Sequence, residues 1–357
     1  MNWKDRRLLE LFGIEHPILQ APMAGFSAPP MTVAVSQAGG LGAIAAAMLT
    51  PETLRAELQL VQQATSRPIN VNFFVHKPPA DDATREAAWR KRLADYYREF
   101  GLPADAGARG PARAPFDAAL CDIVVEYKPK VVSFHFGLPE RTLMERLKRA
   151  GILLLSSATS AEEARWLEGE GCDAIIAQGN EAGGHRGMFL NDDISRQAGT
   201  MALVPQVVDA VKVPVIAAGG IGDGRGIAAA LALGAAGVQI GTAYLLTPEA
   251  KTSALHRAAL KSAHDNSTTL TNIFTGRPAR GIVNRYIREV GPMSPQAPAF
   301  PLAAGASTPL RAVAEAKGSG EFSPLWSGQA PTFAREMPAG DLTRRFVEET
   351  ARALARV

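Results

Sequence analysis

Cysteine is almost absent from this chain of 357 residues, which contains only Cys121 and Cys172. Two cysteines without a CxxC motif or a neighbouring histidine exclude a disulfide scaffold, a cysteine-rich zinc site and an iron–sulfur cluster. The sequence also has no HxH and no HExxH motif, so we predict that the protein has no metal site.

Long apolar runs and an excess of one charge are also lacking. No run of 18 apolar residues is free of helix breakers, and residues 1–10 are charged without the apolar centre of a signal peptide. Basic residues exceed acidic ones by 38 − 35 = 3, and the charges are scattered. A basic stripe with stacking aromatics, which nucleic acid binding requires, is therefore missing. We expect a cytoplasmic protein that binds neither a membrane nor nucleic acid.

Glycine, in contrast, is abundant, since 33 of 357 residues is about 9% against a usual value of about 7%. Between the glycine-rich stretches the sequence contains eight short apolar runs without polar alternation. Such runs are typical of strands buried on both faces of a parallel sheet. The predicted strands are 18–22, 41–46, 69–74, 131–136, 152–156, 174–178, 213–218 and 237–241.

Helical patterns lie between these predicted strands. Thr50 followed by Pro51 indicates a helix start, Ser160 with Glu163 three residues later forms a capping box, and Gly234 indicates a helix end. Strand–helix alternation repeated eight times predicts an α/β protein with a TIM (β/α)8 barrel. An open doubly wound sheet remains the alternative, because closure of the sheet cannot be read from one sequence.

Residues 77–126 do not fit the repeat, because they separate the third and fourth predicted strands by more than one helix requires. The segment carries a charged helical pattern over 81–100, followed by a loop rich in glycine, alanine, proline and arginine over 101–115. We interpret it as a helical insertion on the rim of the barrel.

The C-terminal part of the chain does not fit the repeat either. Residues 292–309 contain five prolines and are expected to be irregular, whereas 342–357 read as an amphipathic helix. We therefore predict a barrel over residues 1–250 and a smaller C-terminal cap domain over 251–357, which comprises a lid segment and the final helix.

The ends of the seventh and eighth predicted strands are rich in glycine, reading AAGGIG over 217–222 and QIGT over 239–242. Catalytic groups of such barrels lie at the C-terminal ends of the strands, where bare backbone amides beside a helix start form the usual phosphate site. Alternatively, these glycines serve only tight turns. The spacing does not match GxGxxG, which favours a mononucleotide-sized ligand over a dinucleotide.

A histidine stands in a glycine-rich loop after the sixth predicted strand, within the sequence QGNEAGGHRG over 178–187. Four glycines surround His185, so we interpret it as a proton-transfer or ligand-orienting residue. His135 lies within an apolar strand and is typical of a satisfied core histidine. Asn72 and Gln178 each offer a donor and an acceptor to the edge of a heteroaromatic ring.

Together these motifs resemble those of the nitronate monooxygenase family, formerly called 2-nitropropane dioxygenases. The similarity covers almost the whole chain and is closest over 17–246. The resemblance implies a TIM barrel that holds non-covalent FMN, with a smaller domain over its mouth. The matching motifs are QAPM at 20–23, NVNFF at 70–74, GNEAGGHRG at 179–187, AAGGIGDG at 217–224 and QIGTAY at 239–244.

The resemblance also implies a role for each candidate residue. Met23 and Asn72 would lie against the isoalloxazine ring, Gln178 would hydrogen-bond its polar edge, and Gly183 would approach the cofactor. The residues implied for the phosphate are Gly220, Gln239, Ile240, Gly241 and Thr242. His185 would be the active-site histidine, binding the nitronate oxygens or removing the α-proton of a neutral nitroalkane. The implied reaction is the FMN-dependent oxidation of alkyl nitronates with O2 to a carbonyl compound and nitrite.

Three alternatives stay open at this point. An FMN-dependent, NAD(P)H-using enoyl-acyl-carrier-protein reductase shares the barrel and an EAGGH loop, although Arg186, the insertion and the long C-terminal segment favour the nitronate enzyme. A flavin-free barrel isomerase or lyase that acts on a phosphorylated metabolite would use the same phosphate site. A non-catalytic flavin-binding barrel is the third, and His185 in an open glycine loop speaks against it.

Overall fold

The computed structural model of the chain describes residues 3–107 and 114–356. Its centre is a sheet of eight parallel strands in the order β1-β9-β8-β6-β5-β4-β3-β2. Leu19 pairs with Leu41 in a parallel bridge, and the Gln20 amide donates to the Leu41 carbonyl at 2.9 Å, so β1 meets the entry to β2. The sheet therefore closes into a barrel, which confirms the predicted fold. The barrel strands are β1 (Ile18–Gln20), β2 (Gly42–Ala45), β3 (Ile69–Phe74), β4 (Val131–His135), β5 (Leu153–Ala158), β6 (Ala174–Gln178), β8 (Val215–Ala218) and β9 (Gly237–Ile240).

Helices surround this barrel. Within the described residues they are α1 (Arg7–Phe12), α2 (Pro29–Gln37), α3 (Pro51–Ala64), α4 (Ala83–Glu99), α5 (Ala118–Tyr127), α6 (Arg141–Arg149), α7 (Ala161–Gly169), α8 (Thr200–Ala210), α9 (Gly224–Ala232), α10 (Ala254–Ser262), α11 (Arg285–Val290), α12 (Ala304–Ala316) and α13 (Ala339–Leu354). Seven of them, α2, α3 and α5 to α9, follow successive barrel strands. The C-terminal helix α13 packs against α9 and α2 and thereby takes the eighth place in the ring. Among the described residues, no helix is both long and apolar enough to cross a membrane.

The start of α7 departs from the predicted capping box. Ser160 Oγ accepts from the Glu163 amide at 3.1 Å, as the motif requires. The Glu163 carboxylate, however, accepts from the Thr159 amide at 2.6 Å instead of returning to Ser160. Its other oxygen accepts from the Phe189 amide at 2.6 Å, so this buried carboxylate also holds the loop that contains Phe189.

A second, smaller sheet lies beside the barrel and was not expected from the sequence. It is antiparallel, in the order β10-β11-β7, with β7 (Gly184–His185), β10 (Thr268–Thr271) and β11 (Ala279–Ile282). The register pairs Ala279 with His185 and Arg280 with Gly184. A strand of two residues leaves no periodic pattern in a sequence, which is why β7 could not be predicted.

The proline-rich segment is more regular than expected. We predicted irregular structure over 292–309, yet α12 begins at Ala304 and contains Pro309. A proline within a helix removes one hydrogen bond. The burial of Leu310 and Ala314 in an apolar cluster shared with α4 stabilises the helix nevertheless.

The insertion and the C-terminal segment share this apolar cluster. Trp89 and Leu93 of α4 pack with Tyr286 of α11 and Leu310 of α12, and all four side chains are buried. The division into a barrel, an insertion and a cap domain stays a prediction. Part of the predicted loop over 101–115, namely residues 108–113, lies outside the described residues, as do residues 1–2 and 357.

Candidate active site

The candidate residues meet in one cavity at the C-terminal ends of the barrel strands. The cavity encloses about 1270 Å³ of space between protein atoms, including the part open to solvent. Nine of the ten candidates line it: Met23, Asn72, Gln178, Gly183, His185, Gly220, Gln239, Gly241 and Thr242. The tenth, Ile240, is 1% exposed, and its side chain belongs to the barrel core.

The C-terminal segment supplies a part of the wall that the sequence did not reveal. Trp326, Ser327 and Gly328 line the cavity. The Gly328 amide donates to Thr242 Oγ1 at 2.9 Å, which ties this segment to the end of β9. No motif identifies these residues, and the one available signal was a lone tryptophan in a stretch of serine, proline and glycine.

Backbone packing explains two of the glycines in this wall. Gly220 has φ +69°, a left-handed conformation that favours glycine. A Cβ on Gly183 would lie 2.5 Å from the Gly328 amide nitrogen, so the two segments approach each other only because this residue has no side chain. Glycine therefore does more at this site than permit turns between strand and helix.

The start of α9 is not open to a ligand, although the sequence placed a phosphate beside it. Asp223 caps this helix, because its Oδ1 accepts from the Arg225 amide at 2.9 Å and from the Gly226 amide at 3.2 Å. The backbone that does line the cavity near this helix belongs to the glycine turn after β8 and to Gly241 and Thr242 after β9.

Gln239 presents an unused acceptor at the cavity wall. Its carbonyl oxygen Oε1 is buried and has no hydrogen-bond partner among the described residues. Buried polar atoms are nearly always paired, so this oxygen points to a donor that a bound molecule would supply. An N–H on the edge of a heteroaromatic ring is such a donor.

Gln178 and Asn72 are both engaged with the protein. Gln178 Nε2 donates to the carbonyl of His185 at 3.0 Å, and its Oε1 accepts from the Gly187 amide at 2.7 Å. Gln178 therefore spans the glycine-rich loop and holds its shape. Asn72 Nδ2 donates to Ser133 Oγ at 2.9 Å, which fixes the orientation of the asparagine at the wall.

His185 stands half-buried at the cavity wall on β7, where four aromatic rings surround it, those of Phe74, Phe136, Phe300 and Trp326. Its ring centroid lies 5.3 Å from that of Phe300, 5.6 Å from that of Trp326 and 5.9 Å from that of Phe74. Its Nε2 is 2.9 Å from Thr275 Oγ1. The ring is thus held in place by a hydrogen bond and by apolar packing, which suits a group that transfers protons.

His135 also lines the cavity, although its place in an apolar strand suggested a core residue. Its Nε2 lies 3.1 Å from the carbonyl oxygen of His185 and its Nδ1 lies 3.0 Å from Ser157 Oγ. A carbonyl only accepts, so Nε2 carries the proton and Nδ1 accepts from the serine hydroxyl. Burial lowers the pKa of His135 to about 3, so the ring is neutral and supports the backbone of the neighbouring histidine.

Arg186, the residue after the candidate histidine, turns away from the cavity into the protein. Its side chain is fully buried and donates to the carbonyls of Gly179 at 2.7 Å and Gln178 at 2.8 Å, and to Gln197 Oε1 at 2.6 Å. Burial lowers the pKa of Arg186 to about 9, which keeps the group charged at neutral pH. This arginine stabilises the loop and does not take part in ligand contacts.

The residues that line the cavity are almost free of charge. None of them is aspartate, glutamate, lysine or arginine within the described part of the chain. No group of three or more histidine, cysteine, aspartate or glutamate side chains in residues 3–107 and 114–356 is placed to hold a metal ion.

Comparison with known proteins points to one family. The sequence model described as nitronate monooxygenase matches residues 5–349. The chain is 43% identical to a nitronate monooxygenase of Pseudomonas aeruginosa, over 96% of this chain and 98% of that protein. It is 41% identical to a nitronate monooxygenase of Paraburkholderia phytofirmans, over 98% of this chain and 96% of that protein.

Solved structures agree with this assignment. Nitroalkane oxidase of Streptomyces ansochromogenes superposes with a TM-score of 0.90 at 40% identity and covers 98% of this chain and 99% of its own. FabK of Thermotoga maritima is a more distant relation, with a TM-score of 0.76 at 30% identity over 99% of this chain and 98% of its own. The barrel carries a histidine in a glycine-rich loop, and the family model and the relatives match nearly the whole chain. The chain therefore belongs to the nitronate monooxygenase family, whose members are oxidoreductases and in general flavoenzymes.

Proposed function

We propose that this protein oxidises alkyl nitronates, and neutral nitroalkanes after removal of their α-proton, with O2 to a carbonyl compound and nitrite, using FMN. The observation that carries the proposal is the position of His185, which shares one cavity with the glycine turns after β8 and β9. Membership of the nitronate monooxygenase family supports it.

FMN fits the residues of the cavity. The buried Oε1 of Gln239 has no partner among the described residues and would accept the N–H at the edge of the ring system, so we assign Gln239 to the ring and not to the phosphate that the resemblance implied. Gly220, Gly241 and Thr242 would take the phosphate, whereas Ile240 would contribute only backbone because its side chain lies in the core. When bound, FMN supplies the redox chemistry.

Other cofactor contacts follow from the cavity wall. Met23 and Asn72 would flank the ring, and Gly183, whose lack of a side chain admits the segment around Gly328, would form the wall beside it. Gln178 would bind the polar edge of the ring only by sharing its amide, since Nε2 and Oε1 already bond to the His185 carbonyl and the Gly187 amide.

The protein's own chemistry resides in His185. In its protonated form the imidazole donates a hydrogen bond to the oxygens of a nitronate, and in its neutral form it removes the α-proton of a neutral nitroalkane. Phe74, Phe300 and Trp326 pack against the ring and hold its orientation. A cavity without carboxylates does not repel the nitronate anion, because like charges raise the energy of a bound ion.

An anaerobic reduction experiment tests the proposal. We expect the purified protein to be yellow, its heat-released flavin to co-elute with FMN, and propionate 3-nitronate to bleach the visible absorbance without O2. NADH and NADPH, each mixed separately, are expected to bleach it slowly or not at all.

Two results would overturn parts of this proposal. Rapid bleaching by a pyridine nucleotide without reaction of the nitronate would identify an NAD(P)H-using reductase of the enoyl-acyl-carrier-protein type. A colourless protein that takes up no added FMN would remove the flavin from the proposal and favour a barrel enzyme that acts on a phosphorylated metabolite.

A further inference from the structure

Thr275 contacts the candidate catalytic histidine from outside the barrel. It lies between β10 and β11 in the C-terminal segment, and its side chain is 4% exposed. Its hydroxyl oxygen is 2.9 Å from Nε2 of His185. No sequence motif that we considered includes this threonine, and its side chain is not among those that line the cavity.

The small sheet holds the backbone of the same histidine. His185 forms half of β7 and pairs with Ala279 of β11, four residues after Thr275. One short stretch of the C-terminal segment therefore fixes both the main chain and the ring of His185. A hydrogen bond from a second residue, added to a fixed backbone, leaves the imidazole little freedom to rotate.

The directions of the hydrogen bonds decide which ring nitrogen carries the proton. The threonine hydroxyl has one proton, and the carbonyl of Arg277 lies 3.4 Å from its oxygen. All three groups are satisfied when Nε2 of His185 donates to Thr275 and Thr275 donates to Arg277. In this arrangement Nδ1 of His185 is the unprotonated nitrogen.

We infer that Thr275 is a positioning residue that holds the ring of His185 with the proton on Nε2, so that Nδ1 removes the α-proton of the nitroalkane. The inference rests on the proposed function. The C–H bond breaks, its electron pair becomes the C=N bond of the nitronate, and the proton moves to Nδ1. Nε2 continues to donate to Thr275, which stabilises the imidazolium that forms.

The other charged and titratable groups around His185 are already engaged. Arg277 packs over the ring of Phe136 at 4.1 Å, and Arg280 of β11 donates to the Asn180 carbonyl at 2.9 Å. Three more such groups are also engaged. Arg186 bonds to backbone carbonyls, and His135 donates to the His185 carbonyl. His76 contacts the rings of Phe136 and Phe300.

Two substitutions at one position test the inference. Thr275→Val keeps the shape but removes the hydroxyl, whereas Thr275→Ser keeps the hydroxyl. We expect Thr275→Val to lower kcat/KM for a neutral nitroalkane about tenfold or more, with much less effect on a preformed nitronate, which needs no proton removal. In the pH profile of kcat/KM for Thr275→Val, the rising limb should move to lower pH, because the imidazolium of His185 loses a hydrogen-bond acceptor. Thr275→Ser is expected to stay within about twofold of the wild type.

A spectroscopic readout makes the test independent of turnover. In protein labelled with 15N-histidine, the ring resonances that disappear in His185→Asn are those of His185, and we expect them to show Nε2–H in the wild type and a mixture of tautomers in Thr275→Val. Flavin content and near-ultraviolet circular dichroism confirm that both variants are folded.

The outcomes separate this inference from the proposed function. A wild-type protein that turns over neither nitroalkane nor nitronate contradicts the proposed function, whereas the resonances still report on Thr275. An Nδ1–H tautomer in the wild type, or a Thr275→Val variant with unchanged substrate ratio, pH profile and resonances, overturns the inference.

Discussion

The two histidines at the cavity differ in chemistry because their ring nitrogens meet different partners. His135 faces a carbonyl on one side and a hydroxyl on the other, and its burial holds its pKa at about 3. An imidazole with so low a pKa is a weak base and holds an abstracted proton poorly near neutral pH. His185 meets a hydroxyl, which accepts as well as donates, and it stands beside the open part of the cavity. Residue type alone did not separate these roles.

The low pKa of His135 predicts how stability depends on pH. The unfolded chain protonates this ring below about pH 6.5, whereas the folded protein does so only near 3. Between these values the unfolded state binds more protons, so the free energy of unfolding falls as the pH falls, by about 1.4 kcal/mol per pH unit from this group. His135→Gln should lack this contribution, which urea unfolding at pH 6.5, 5.5 and 4.5 measures.

Ser157→Ala is the control for this prediction. It removes a hydrogen bond from the same ring but removes no titratable group, so it should lower stability without abolishing the contribution of His135 to the slope. Equal slopes for the wild type and His135→Gln would contradict the assignment of a depressed pKa.

At the scale of elements, the close approach of two loops builds one wall of the cavity. Gly183 in the loop after β6 and Gly328 in the C-terminal segment pack backbone against backbone. In Gly183→Ala the new Cβ would lie 2.5 Å from the Gly328 amide nitrogen, a distance that requires the backbone to move. We expect this variant to be purified with at most about one tenth of the wild-type flavin content, because a wall displaced by about 1 Å loses much of its function.

Gly169→Ala is the matched control at the end of α7, where a Cβ meets no atom within 4 Å. It should retain the wild-type flavin content and stability to within about 0.5 kcal/mol. Full flavin occupancy in Gly183→Ala, measured as the ratio of visible to ultraviolet absorbance, would contradict a close approach at this position.

The barrel was predictable from the sequence, whereas the second layer around it was not. The buried strands of the barrel are short runs of mainly apolar residues, which turns are not. For β3 and β6 the predicted boundaries therefore agree with those observed. The small sheet depends on a pairing between segments about 95 residues apart, Gly184–His185 and Ala279–Ile282, which no local pattern records. For the same reason the sequence showed His185 and the glycines but not Thr275 or Trp326, whose roles arise only from packing.

At the scale of the whole molecule, the C-terminal helix α13 packs against the barrel and its neighbouring helices. Leu342 and Phe346 of α13 are buried in the cluster that holds Val238 and Ile240 of β9. Tyr244 and Thr343 share a hydrogen bond of 2.8 Å, and the Glu249 carboxylate accepts from the first amide of the helix at 3.0 Å. Helix α13 thus completes the ring of helices around the barrel.

This arrangement predicts that the chain unfolds as one cooperative unit. Phe346→Ala empties a site in the barrel core and should lower the free energy of unfolding by about 3–5 kcal/mol, a large part of the roughly 5–15 kcal/mol of a folded domain. Because α13 shares its core with β9, which carries Gln239 and leads into Gly241, flavin release, tryptophan fluorescence and far-ultraviolet circular dichroism should shift together to lower urea concentration. Leu354→Ala, at a 39% exposed position of the same helix, should change stability by less than about 0.5 kcal/mol. A Phe346→Ala protein whose helical signal falls in a separate early transition, while the flavin stays bound, would show that the helix is an independent appendage and not the eighth helix of the barrel.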